Sequence, residues 1–332
     1  MEVGVESWFY YLSKKYKNIV VYYKNGNLEQ IKRLAKNVEV RKFNGELIKC
    51  KNFFCCYNPD ILEYVDAKTI FHVVHCDYKQ TFFKPIMHPK VDKYIGVSKL
   101  VCDSFTELTG KECELIYNPV VIEKPNVEKE SGLYLISATR LSNEKGRKRI
   151  IQLAKMLERK HINYEWHIYT NKIRPFNIGN IILEEPKLDI IPEIAKASYL
   201  VQLSDHEAFC YSVVESLMVG TPVIVTDLPV FKELGVKHGE NAIVCDLDMS
   251  NVDLHKIENG LPPFKYEPPK DNWDKYLDNN TDYTPDKKFK VKVRKNYTDI
   301  NLGHQDKGAI LEMPALRVAE LENKGYVERI WN

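Results

Sequence analysis

The sequence lacks any apolar run of the ~18 residues that a membrane-spanning helix requires. It also lacks an excess of one charge. Lys+Arg total 48 against 46 Asp+Glu, for a formal net charge of +2. Bulk attraction to nucleic acid is therefore excluded, while a local basic patch is not. The opening Met1-Glu2-Val3-Gly4-Val5-Glu6 has no basic stretch and carries two acids, unlike a secretory signal. Among the 8 cysteines no C-x-x-C pair occurs, so neither a zinc-ligand block nor a disulfide framework is expected. Several sit in apolar runs such as Phe53-Phe54-Cys55-Cys56-Tyr57, where Cys acts as a small hydrophobe. Reduced structural thiols and a cytoplasmic location are the expectation.

What is present is an ordinary globular composition: 332 residues, 44% hydrophobic and 28% charged, a length that implies two domains and an appendage. Short β-branched runs alternate with amphipathic ones. Strands are expected at Ile19–Tyr23, Phe53–Tyr57, Thr69–His75, Tyr94–Val97, Leu133–Ala138, Trp166–Tyr169, Leu200–Leu203, Pro222–Thr226 and Ala242–Cys245. Helices are expected at Trp8–Tyr16, Leu28–Lys36, Lys99–Leu108, Arg147–Lys160, Ile190–Ala197, Ser212–Val219 and Val230–Leu234. This alternation specifies parallel sheets covered on both faces. It pauses at Pro119–Gly132, read as an interdomain linker, and again at Asn259–Pro269, where prolines break any helix. A short helix at Asn272–Leu277 and a polar segment from Asp278 to Pro285 follow. The domains expected are residues 1–124, 125–284 and a small module at 285–332.

That module reads as β–α–β. Phe289-Lys290-Val291-Lys292-Val293-Arg294 alternates at period two, Met313-Pro314-Ala315 opens a helix through Glu322, and Tyr326–Ile330 closes as a strand. Its lysines suit either a solvated edge strand or a contact with nucleic acid or an acidic surface.

The most informative stretch runs from Ser204 to Ile224. A buried strand enters a loop holding Glu207, then a helix carrying Glu215, then Gly220-Thr221-Pro222 and a second buried strand. Glu207 falls at the carboxyl end of a strand, where open α/β sheets bind ligands. The amides at Cys210–Ser212 begin a helix and suit a phosphate. Two acids flanking an anion site make sense if they hold hydroxyl groups on either side of it. On spacing alone, Glu207 as a dipole-stabilised helix-start acid and Glu215 as a surface residue remain open.

Glu207-x7-Glu215 with Gly220-Thr221-Pro222-Val223-Ile224 resembles the signature of retaining, GT-B-fold glycosyltransferases of family 4. Ser137-Ala138-Thr139-Arg140-Leu141-Ser142-Asn143-Glu144-Lys145-Gly146 is similar to that family's G-R-L-x-x-x-K-G element. Asn118-Pro119-Val120 and Gly96-Val97-Ser98 resemble its interdomain turn and its last N-terminal strand end. The elements keep the family's order over roughly residues 3 to 280. The resemblance implies a GT-B fold: two Rossmann-like domains facing across a cleft, residues 1–124 on the acceptor side and 125–284 on the nucleotide-sugar side, plus the C-terminal α+β appendage.

It further implies metal-independent transfer of a hexose-type sugar, with retention, from a nucleoside-diphosphate sugar, a UDP-sugar favoured. No cofactor is implied. The acceptor would be a glycan, a protein or modified DNA. Arg140 and Lys145 would grip the diphosphate, and Glu207 would hold the sugar. Glu215 would hold the ribose, with Phe209, Cys210, Tyr211 and Ser212 supplying amides. His75 resembles the acceptor-side histidine, although a packed imidazole is its alternative; His72 reads as core. Asp246-Leu247-Asp248 reads as turn chemistry rather than a metal site.

Two departures stand out. Glu207-Ala208-Phe209-Cys210 replaces the family's glycines with residues whose Cβ atoms crowd the ligand. The chain also begins almost at the loop that normally follows a first strand, so either that strand is missing or Met1 is an internal start. A GT-B-shaped scaffold without turnover, and a transferase brought to DNA by its C-terminal module, are the competing readings. The module weakly resembles phage and prophage segments.

Overall fold

The computed structural model describes residues 3–57, 59–171, 178–277 and 288–330; the expected polar segment 278–285 lies outside them. The chain begins with α1 (Val3–Lys15), β1 (Val20–Tyr23), α2 (Leu28–Ala35), β2 (Glu39–Lys42) and β3 (Ile48–Cys55). Next come β4 (Val65–Val74), β5 (Lys93–Gly96), α3 (Lys99–Thr109) and β6 (Cys113–Leu115). A third stretch holds β7 (Leu133–Ala138), α4 (Arg147–Arg159), β8 (Tyr164–Tyr169), β9 (Ile181–Glu184), α5 (Ile191–Lys196) and β10 (Tyr199–Gln202). It continues with α6 (Tyr211–Val219), β11 (Val223–Thr226), α7 (Pro229–Glu233), β12 (Ala242–Cys245) and α8 (Leu254–Asn259). The last part is β13 (Lys288–Val293), β14 (Tyr297–Asp299), β15 (Gly303–Gln305), β16 (Ile310–Pro314), α9 (Ala315–Asn323) and β17 (Val327–Arg329).

Two compact units result, one of residues 1–70 with 272–332, the other of residues 71–271. In the second unit, β7 to β12 form a parallel sheet in the order β12-β11-β10-β7-β8-β9. Its strands are apolar almost throughout because helices cover both faces. Leu135, Trp166, Val201 and Ile224 pack with Leu153 and Leu157 of α4 in its core. Within the same unit β4, β5 and β6 pair in parallel. Gly96 is required there, since a Cβ would come 2.5 Å from Cys102 Sγ. All eight cysteines are free thiols.

In the first unit β1 and β2 pair in parallel around α2, whose Asn27 side chain caps the helix. The C-terminal segment joins this core. Ala319 and Leu316 of α9 pack with Val21, Ile31, Ala35, Val38 and Val40. Its own strands form an antiparallel sheet in the order β16-β13-β17. The lysine-rich strand is thus central, not the edge strand its alternation suggested. Period two reports only that one face is wet, which holds equally for a central strand of a half-covered sheet. Met313 and Pro314, expected to open the helix, end β16, and α9 starts at Ala315.

His72 lies on β4, and His75, expected at the end of that strand, lies just after it. His72 is 1% exposed, and its ring nitrogens have no hydrogen-bond partner among the described residues. Burial pushes its pKa down to about 4, while burial and then His72 push half-buried His75 down to about 3. Both rings are neutral in the fold. Below about pH 6.5 the unfolded chain takes up protons that the folded chain refuses, so stability falls as pH drops toward 4. Each histidine contributes a slope of up to ~1.4 kcal/mol per pH unit in that window. Urea unfolding from about pH 7.5 to about pH 5 should therefore show a loss that His72→Leu reduces by ~2 kcal/mol. An unchanged acid limb in that variant would contradict the assignment.

Candidate functional site

In the six-stranded sheet, connections run outward in opposite directions from the boundary between β7 and β10. Loops leaving adjacent strands on either side of such a switch point diverge and leave a crevice at the strands' carboxyl ends, where α/β sheets bind ligands. The two loops here are residues 139–146 and 203–210, and they carry most of the expected site residues.

They are tied together closely. The Asp205 amide donates to the Glu144 carbonyl at 2.8 Å. Gly146 has φ +80°, and a Cβ there would lie 1.9 Å from the Leu203 carbonyl oxygen, so only glycine fits. Arg149, in the first turn of α4, donates from Nε to that same oxygen at 2.8 Å and pairs with Asp205 through Nη2. Its Nη1 reaches the Leu247 carbonyl at 3.4 Å. This arginine positions the Glu207 loop, and the motif pattern did not single it out. An arginine at a helix start reads as surface charge until its acceptors are known.

Between these two loops, Lys145 Nζ lies 2.8 Å from Glu207 Oε1, with the two side chains 18% and 10% exposed. Burial lowers the Lys145 pKa, but the charge and hydrogen bond of Glu207 outweigh it, so the amine is held charged above its usual value. Glu207 Oε1 also accepts from Ser204 Oγ at 2.7 Å and Gln202 Nε2 at 3.1 Å. All three donors converge on one oxygen, while Oε2 takes no hydrogen bond among the described residues. It remains available as an acceptor. Gln202 and Ser204 were not singled out in the sequence, although a glutamine ending an otherwise apolar strand is a usable signal.

Glu207 is therefore not a helix-start acid: its carboxylate serves Lys145, and α6 begins four residues later at Tyr211. Glu215 is not a surface residue either, being 7% exposed within α6. Cys210 is the N-cap of α6 with φ +68°, a left-handed backbone that costs a non-glycine residue energy. Burial, then Glu207, push its thiol up to about 12, so it stays protonated. Its Sγ lies 3.5 Å from Ser212 Oγ. Phe209 and Tyr211 are buried and stack edge to face at 5.2 Å, so their rings are core while their backbone lines the helix start. Arg140 is exposed and pairs with Glu144 at 2.8 Å. His75 stands apart from this cluster in the chain, just after β4.

Three buried polar atoms at this sheet edge, Ser142 Oγ, Thr170 Oγ1 and Gln202 Oε1, have no hydrogen-bond partner among the described residues. Unpaired buried polar groups are costly, and a polar ligand would satisfy them. By contrast, Gly220-Thr221 is structural: Thr221 Oγ1 donates to the Ile194 carbonyl and accepts from Lys129 Nζ. Asp246–Asp248 forms a turn, with Asp248 accepting from the Ser250 amide.

Residues 121–256 match the family model described as Glycosyl transferases group 1. No curated protein sequence matches the chain. Among solved structures, Anabaena Alr3699/HepE in complex with UDP-glucose superposes with a TM-score of 0.58 at 15% identity, over 78% of this chain and 87% of that one. TarM superposes with a TM-score of 0.52 at 15% identity, over 63% of this chain. The match covers 48% of TarM, so the chain aligns with about half of that protein's length. The fold is GT-B, as the resemblance implied. Among the described residues no helix is long and apolar enough to cross a membrane.

Proposed function

We propose that the protein is a glycosyltransferase that moves a hexose-type sugar from a nucleoside-diphosphate sugar to an acceptor hydroxyl, with retention and without a metal. The observation that carries this is the Lys145–Glu207 pair at the switch point, a charged amine and a carboxylate with one free oxygen beside a helix start. The match of residues 121–256 to the glycosyltransferase model supports it, and HepE's UDP-glucose supports a UDP-sugar donor. In this reading residues 125–284 bind the donor and residues 1–124 serve the acceptor.

Each residue then has a task. Glu207 Oε2 accepts from a sugar hydroxyl. Lys145, held charged, faces the diphosphate, and Arg140 exchanges Glu144 for a phosphate oxygen. The first-turn amides at Tyr211 and Ser212 add the positive end of the α6 dipole. Together they stabilise negative charge building on the leaving diphosphate. The departing phosphate oxygen takes the acceptor proton on the face it leaves, so no protein nucleophile is needed. Glu215 receives the ribose hydroxyls, and His75, neutral, sits on the acceptor side.

A GT-B-shaped binding protein without turnover is the alternative, and the strained Cys210 favours it. Delivery to DNA is not favoured. On the exposed face of β13, Lys290 stands opposite Glu312 and Lys292 opposite Glu328, which is paired with Arg294, so acids are interleaved with the basic residues across the strands.

The first test is a thermal-shift panel of UDP, GDP, ADP and their sugar conjugates. A ligand at ~100 times its Kd adds about 2.7 kcal/mol to stability. A UDP-dependent shift is expected in the wild type and not in Glu215→Ala, each protein being compared with its own ligand-free melt. No shift with any nucleotide would count against a donor site.

A further inference from the structure

We propose that the segment Tyr78–Val91 is a membrane-surface contact that places Phe82 and Phe83 among the headgroups of an anionic bilayer. The observations are independent of the sugar-transfer reading. Residues 75–92 join β4 to β5 without helix or strand, longer than the ~12–15 residues beyond which an irregular loop is uncommon and usually functional. Phe82 is 107% exposed, Phe83 67% and Met87 43%. Single exposed apolar residues are normal; two adjacent, projecting phenylalanines with a methionine close by in the chain are not.

The loop does not wander freely. Its root is fixed by Asp77, which accepts from Ser104 Oγ at 2.6 Å and from the Lys79 amide at 3.1 Å, and by Tyr78, 7% exposed and packed near Phe105. On its far side the chain turns at His88, whose ring accepts from the Lys90 amide at 3.2 Å and whose carbonyl accepts from the Val91 amide at 3.0 Å. The rings therefore project from a loop whose root is anchored on α3 and whose far side is a hydrogen-bonded turn. Pro85 and Pro89 lack an N–H, which reduces the number of backbone donors the tip must desolvate.

Charge identifies the occupant. No Asp or Glu occurs between Asp77 and Asp92, in a chain otherwise rich in acids. Lys79 is paired with Glu107, and the exposed Lys84 and Lys90 follow the two phenylalanines in the chain. A projecting aromatic pair followed by lysines is the chemistry that enters the interface of an anionic membrane, ring inward and ammonium at the phosphates. A protruding tip without acids is poorly suited to a basic protein surface or to enclosing a sugar.

The test is flotation of the full chain with vesicles of phosphatidylcholine and phosphatidylglycerol, and with phosphatidylcholine alone. Wild type is expected to float with the anionic vesicles and to be released by salt. Phe82→Ser with Phe83→Ser should lower partitioning by about tenfold or more. Lys84→Glu should lower it by a similar factor, since each lysine near such a surface is worth about fivefold. All variants should keep the wild-type melting temperature, because the side chains are exposed. Failure of wild type to float, equal binding to both vesicle types, or undiminished binding by the double serine variant would each overturn the proposal.

Discussion

Replacing Arg329 with methionine should lower the stability of the first unit by about 3–5 kcal/mol, the cost of removing one partner from a buried charge network. Arg329 lies on β17, three residues before the chain end, with its side chain 1% exposed. Its Nη1 is 2.9 Å from Glu39 Oε1 on β2, its Nη2 donates to the Val40 carbonyl, and its Nε is 3.4 Å from Glu322 Oε2. Glu322 is itself 2% exposed, and burial pushes its carboxyl above the usual range. Without the guanidinium, the Glu322 carboxylate is left desolvated, while Glu39 keeps its pairing with Arg41 at 2.7 Å. Converting Glu322 to Gln in the same chain should recover part of the loss, because the stranded charge is then gone. Chemical unfolding of the two variants checks this; a loss below about 1 kcal/mol for Arg329→Met would mean the network is solvated. Truncation at 285 is consequently a poor probe of the C-terminal module, since it uncovers Ala35 and Val40. Point changes at Lys290 and Lys292 are better.

The second large effect is on turnover. In the proposed reading, Glu207→Gln should reduce release of UDP from a UDP-sugar by about 10²-fold or more, since it would loosen both the group that accepts from the sugar and the lysine that faces the diphosphate. Lys145→Ala should cost a comparable factor. The two residues share one oxygen, so the double variant should be little worse than the poorer single, the behaviour of a unit. Multiplying losses would show that they act separately, and near-normal release by either single variant would remove the transferase reading. Arg149→Lys keeps the charge and loses the fork to Leu203 and Asp205. Any effect it has should fall on KM and kcat together, through displacement of the Glu207 loop.

Most of the elements in residues 133–245 were legible from pattern alone. Leu133–Ala138 and Ala242–Cys245 coincide with β7 and β12, and Arg147–Lys160 differs from α4 by one residue. These segments are long or uniformly apolar, so local pattern and burial agree. The short strands β2, β6 and β9 were missed: each has mixed polarity and is made a strand by its neighbour's hydrogen bonds, a nonlocal cause. The site's charged residues were visible for the same reason the strands were, since strand–loop–helix punctuation places them at a sheet edge.

The sequence by itself determined the alternation, hence the parallel sheets, and the positions of Lys145, Glu207 and Glu215 relative to strand ends and helix starts. Covalent spacing dictates those relations whatever the rest of the chain does. Only the tertiary structure decided that Lys145 and Glu207, 62 residues apart, share a proton-donating contact. It alone showed that Arg149 braces their loops and that β13 is central. It also showed that Arg329 closes a core begun at β1. Each of these depends on which surfaces meet, and a desolvated ion pair is worth making only where packing has already excluded water.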